Sequence, residues 1–181
     1  MSKLVLRKIW DPVTRVWHWV LASVVITNWI FGEFMDFDTV RWHFYLGYSV
    51  LGLLAFRVFW GMVGPEPIRW GSLIPRWPEL IAYVGNLGSR EPSGTPGHNP
   101  IGSLSVLALI LLLALQAGSG LFLVSDDFFE SAPLSGYVSE STVNSLTWWH
   151  HLCSKVLLGL VAMHLLAILY YRIWKNENLL K

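Results

Sequence analysis

The chain has 181 residues, 54% of them hydrophobic and only 14% charged, with 11 tryptophans and a formal net charge of +1. A soluble domain of this length would carry far more charge, so the composition points to an integral membrane protein and away from a nucleic-acid partner. The single cysteine, Cys153, excludes an internal disulfide and a cysteine-based metal cluster.

A membrane-crossing helix needs about 20 mostly apolar residues. Four windows qualify, at 13–34, 41–63, 101–124 and 144–172. No small-residue cleavage site follows the first apolar run, so it reads as a retained span rather than a signal peptide. The acidic turn GEFMDFDTV joins the first two windows as an antiparallel hairpin. Segment 64–100 is crowded with prolines and holds no continuous span. Within it, PELIAYVGNL fits one short interfacial helix and SREPSGTPGHNP reads as a turn-rich connector. Segment 125–143 is polar and carries Asp126, Asp127, Glu130 and Glu140. The expected fold is all-α, a single membrane domain built as a four-helix bundle.

Direction follows from the basic residues. With the N-terminus inside, the inner side carries Lys3, Arg7, Lys8, Arg15, Arg57, Arg69, Arg76, Arg90, Arg172, Lys175 and Lys181. The other side has Arg41 alone, with Lys155 inside the fourth span. Both termini are therefore expected on the cytoplasmic side of the membrane. Trp10, Trp17, Trp42, Trp60, Trp148 and Trp174 sit where interfacial anchors belong.

Six histidines remain to be weighed. His98, in GTPGHNP, reads as a polar loop residue. The others fall in or beside the spans, where an ionisable residue is a functional candidate, although one alone can serve as a hydrogen-bonding bridge between helices. His150 and His164 are 14 residues apart, which puts them within about 40° of one helix face and roughly 21 Å apart along the axis. One therefore lies near each surface of a core about 30 Å thick. His151 points about 100° away from His150. Because the fourth span runs inward, His150 shares the depth of His43 and His164 that of His18. Two histidine pairs result, one per leaflet.

Each pair can give two axial imidazoles to a planar cofactor held edge-on between helices, the geometry of two bis-histidine b-type haems. Saturated coordination favours electron transfer over ligand binding. A zinc site would gather its ligands at one point, haem c would need CxxCH, and a proton relay would usually recruit acidic residues that these spans lack. Arg57 falls 14 residues after His43, on the same face but at the inner depth. It is a candidate for a haem propionate or a quinone site, against simple interfacial snorkelling. Arg15, Arg41 and Lys155 are further propionate candidates. Gly47, Gly118 and Gly120 could admit a porphyrin or serve helix packing.

The segments DPVTRVWHW, RWHFYLGYSVLGLLAFRVFWG, GHNPIGSLSVLAL, GSGLFLVSDD, WHHLCSKVLLGLVAMHLL and NENLL cover nearly the whole chain in order. Together they resemble the bacterial di-haem cytochrome b561 family, including the b-type cytochrome subunits of membrane-bound nickel-iron hydrogenases. The resemblance implies His18, His43, His150 and His164 as haem ligands, paired His18 with His164 and His43 with His150, and an arginine at the position of Arg57. The chain departs from the pattern in carrying His151 directly after a ligand position. His150 is favoured because it shares the face of His164.

What the resemblance implies is a respiratory electron carrier with two haems b. It would link ubiquinone or menaquinone to a periplasmic partner, either a hydrogenase-like enzyme or a cytochrome c docked on the acidic outer loops. A homodimer is compatible with it. GHNP looks closer to this branch than to the branch that oxidises superoxide and reduces quinone. From other classes, a haem-free histidine-relay transporter and a structural membrane anchor are the rivals.

Overall fold

The computed structural model of the protein describes residues 11–90 and 99–176. The expectations attached to Lys3, Arg7, Lys8, Trp10, His98 and Lys181, and to parts of the 89–100 connector and the closing NENLL, lie outside the described residues.

Four long helices fall within a few residues of the apolar windows: α1 (Pro12–Glu33), α2 (Thr39–Val63), α5 (Pro100–Gly120) and α6 (Glu140–Ile173). Between α2 and α5 lie two shorter ones, α3 (Trp70–Leu73) and α4 (Trp77–Gly85). The α4 helix is the one expected from PELIAYVGNL. The caps explain the boundaries. Asp11 precedes Pro12 at the first turn of α1, and its carboxylate accepts from the Thr14 amide at 2.9 Å and the Thr14 hydroxyl at 2.6 Å. Asn99 with Pro100 does the same for α5, accepting from the Gly102 amide at 2.7 Å. Ser139 caps α6, which therefore starts four residues before the apolar window at 144.

The third window also ends early. After Gly120 the chain leaves the helix because its backbone pairs with residues 132–134: Ala132 donates to the Leu123 carbonyl and Leu134 to that of Leu121, both at 2.9 Å. A two-stranded ribbon, β1 (Val124–Ser125) and β2 (Glu130–Ser131), follows. Its tip residue Phe129 has φ 55° and is 90% exposed.

Three helices are long and apolar enough to cross a membrane: α2, α5 and α6. The α1 helix is of similar length, but Arg15, His18, Asn28 and three tryptophans dilute its apolar character. It packs on α2, α2 packs on α5, and α5 on α6. Val50 and Leu54 of α2 meet Leu113 of α5 in a small core, flanked by Leu21, Val24 and Val25 of α1 and Leu157 of α6. The α6 helix touches α1 and α2 only sparsely. Of its residues only Tyr171 is buried, and Leu157 is its contact with the core.

Candidate functional site

Of the predicted ligands, His43, His150 and His164 are half-buried and His18 is exposed. At the end bearing the α1–α2 turn, His43 of α2 and His150 of α6 face each other with ring centroids 6.2 Å apart and planes at 74°. Each ring is held through Nδ1. The His43 Nδ1 lies 3.0 Å from the Asn28 carbonyl of α1, and the His150 Nδ1 lies 3.0 Å from the Ser119 hydroxyl of α5. Four helices thus converge on one pair of imidazoles. His151 is exposed beside His150 and makes no comparable contact with His43. At the opposite end, His18 of α1 and His164 of α6 lie within electrostatic reach of one another.

The backbone is shaped around the first pair. A methyl group on Gly32 would come 2.9 Å from His43 Cε1, and one on Gly120 would come 3.4 Å from His150 Cε1. Gly120 therefore sits against a predicted ligand. Gly47 faces the Asn28 side chain instead, and Gly118 borders open space.

Arg57 is 5% exposed, so it does not snorkel. Its guanidinium stacks 4.5 Å from the centre of the Trp70 ring and 5.9 Å from that of Trp17, and Nη2 donates to the Ile68 carbonyl at 3.0 Å. The segment after α2 wraps back to build this cage, which is why the side chain can stay inside. Nη1 is buried and has no hydrogen-bond partner among the described residues. Since Trp17 adjoins His18, this free donor belongs to the His18–His164 end.

The other cationic candidates are not gathered with the histidines. Arg41 is exposed and its Nε is engaged by Glu130, an ion pair that ties the start of α2 to the β-ribbon. Arg15 and Lys155 are exposed on α1 and α6. Residue patterning alone missed Ser119, Gly32 and Trp70. Ser119 lies within GSG, beside a glycine already singled out, whereas Gly32 and Trp70 carry no local signal.

The family model for prokaryotic cytochrome b561 matches residues 9–181. The chain belongs to the prokaryotic cytochrome b561 family. Among its relatives, a probable Ni/Fe-hydrogenase B-type cytochrome subunit from Rhizobium leguminosarum bv. viciae is 25% identical over 202 residues, spanning 95% of this chain and 84% of the relative. A protein of the same description from Azotobacter vinelandii is 25% identical over 204 residues, with the same two coverages. The probable Ni/Fe-hydrogenase 1 B-type cytochrome subunit of Escherichia coli K12 is 23% identical over 143 residues, 65% of this chain and 60% of the relative. No solved structure matches. As a prokaryotic cytochrome b561, the chain is a multi-pass bacterial membrane protein that carries haem b and transfers electrons. The haem-free relay and the bare anchor are thereby set aside.

The residues present fit a haem of this cytochrome. With both Nδ1 atoms engaged, the free nitrogen on His43 and on His150 is Nε2, the arrangement of a metal-binding imidazole anchored through its other nitrogen. Buried polar atoms without partners among the described residues occur at both ends: Asn28 Oδ1 and Gln116 Oε1 near the first pair, Arg57 Nη1 near the second.

Proposed function

We propose that this cytochrome is a four-helix membrane bundle, with α1 as its fourth crossing, that holds two haems b. His43 and His150 would ligate one at the outer leaflet, and His18 and His164 the other at the inner leaflet. Both termini would lie in the cytoplasm, a reading supported by the concentration of Lys and Arg at that end. Held by these histidine pairs, haem b would supply the one-electron redox chemistry.

The chain's own residues do the rest. Asn28 and Ser119 hold the outer imidazoles in one tautomer, and Gly32 and Gly120 give their rings room. Arg57, desolvated between two indoles with one donor unspent, is suited to hold an inner propionate through a charge-assisted hydrogen bond. Exposed Arg15, Arg41 and Lys155 are weaker propionate candidates, and Arg41 is the weakest because Glu130 already holds it.

Electrons pass between the quinone pool and a periplasmic partner, with a hydrogenase-like enzyme placed first because the relatives are described as hydrogenase cytochrome subunits. A basic cytochrome c drawn to the acidic outer loops is the second partner class.

The observation that carries the reading is the His43–His150 pair, 6.2 Å apart with both Nδ1 atoms anchored. The test is haem stoichiometry in the purified protein. Two haems per chain are expected in the parent and one in each of His18→Ala, His43→Ala, His150→Ala and His164→Ala. A parent with one haem, or a histidine variant that keeps two, would sink the four-ligand assignment. Rapid reduction by quinol and not by superoxide separates the partner-coupled role from superoxide oxidation.

A further inference from the structure

We propose that Ser119 is a positioning residue for the outer site: it fixes the protonated nitrogen and the rotation of the His150 ring, and through that ring it lowers the reduction potential of the haem bound there. The inference rests on the reading of His150 as an axial ligand.

With Nε2 of His150 given to the metal, the Nδ1 proton faces two oxygens, the Ser119 hydroxyl and the Gln116 backbone carbonyl. Nδ1 then carries the proton and donates it to the Ser119 hydroxyl oxygen at 3.0 Å. The hydroxyl proton goes in turn to the Gln116 carbonyl at 2.9 Å. Gln116 lies four residues before Gly120, the last residue of α5, so its carbonyl serves both the helix and the serine hydroxyl. A serine three residues on takes up that acceptor and keeps its own oxygen lone pairs aimed at His150. Gly120, the next residue, leaves room for the ring to approach, since a methyl group there would already stand 3.4 Å from Cε1. Ser119 and Gly120 together thus set both the pull and the clearance on one imidazole.

A hydrogen bond accepted from Nδ1 makes the ring a stronger electron donor, which favours ferric over ferrous iron. His43 has a matching acceptor in the Asn28 carbonyl, but a backbone oxygen survives side-chain substitution. Among the described residues no acceptor lies within hydrogen-bonding distance of the His18 or His164 ring. Among the described residues, Ser119 is the side chain whose hydroxyl meets an outer histidine ring, so its substitution addresses the outer haem.

The test is a redox titration of full-length holoprotein carrying Ser119→Ala, or the isosteric pair Ser119→Thr and Ser119→Val should the alanine variant not assemble. In the Ala and Val variants one of the two midpoints rises. The expected change is about a threefold fall in the ferric-to-ferrous ratio at fixed potential, roughly 30 mV at 59 mV per tenfold for a one-electron couple. Thr restores the parent value, and the second midpoint does not move. Two retained haems with unchanged midpoints in Ala, equal shifts of both midpoints, or equal haem loss in Thr and Val each overturn the proposal. Failure of the ligand assignment reads out separately: His150→Ala then keeps both haems while His151→Ala loses one.

Discussion

The guanidinium of Arg57 lies 4.5 Å from the centre of the Trp70 indole, although the two belong to different helices and to opposite sides of the Gly64–Pro65 break. The contact closes a cage completed by Trp17 and the Ile68 carbonyl. A planar, weakly hydrated cation suits such a slot, whereas an ammonium is more strongly hydrated and lacks the fork. Arg57→Lys should therefore lower stability by about 1–3 kcal/mol, combining a lost cation–π contact and a lost charged hydrogen bond. Arg57→Gln should also lower the midpoint of the inner haem, because a nearby positive charge favours the reduced form. Thermal melts of Arg57→Lys in detergent check the first expectation, and redox titration of Arg57→Gln checks the second.

The glycines beside the outer histidines make a graded prediction. Adding a methyl at Gly32 brings it to 2.9 Å from His43 Cε1, closer than side-chain carbons normally stand, so the ring or the α1–α2 packing must shift. At Gly120 the corresponding 3.4 Å is an ordinary close contact. Gly32→Ala should lose most of the outer haem, and Gly120→Ala should keep it with a small change in the reduced spectrum. Haem-to-protein ratios of the two variants decide this, and equal retention in both would contradict the proposed packing.

Much of this arrangement was legible in the chain itself. The long apolar windows located the helices because hydrophobic length is a one-dimensional property, and the 14-residue step sets His150 and His164 roughly 21 Å apart on α6 because helix rise is constant. What could not be read depends on contacts between distant segments. The pairing of Arg41 with Glu130 joins residues 89 apart, and Trp70 reaches Arg57 only after the chain has turned back at Pro65. The early end of the third helix was hidden for a related reason: LFLV is as apolar as the helix before it, and only its pairing with residues 132–134 pulls it out. Ser119 was overlooked because a serine in a helix is usually unremarkable without its partner.

The ion pair between Arg41 and Glu130 lies at the surface, with side-chain exposures of 70% and 27%. Exposed pairs contribute about 0–1 kcal/mol and weaken with salt. Arg41→Gln should accordingly leave two haems in place and shift the melting temperature by no more than a few degrees. A lost haem in this variant would return Arg41 to the list of propionate partners and show that its bond to Glu130 is not its main role.

The Asp11 cap should make the start of α1 sensitive to acid. Burial pushes the carboxyl up, but the hydrogen bonds it accepts from the Thr14 side chain and amide outweigh this and hold it below its usual value of 3.8. A group depressed in the folded state contributes stability that is complete above its unfolded value and is lost as pH falls through the folded one. At neutral pH, replacing the cap by Ala should cost about 1 kcal/mol. The difference between parent and Asp11→Ala should shrink as the pH is taken below 3.8 and vanish once the carboxyl is protonated in both states. Melting curves of the two proteins across that range provide the measurement. A gap that persists undiminished at low pH would mean that Asp11 does not act through its charge.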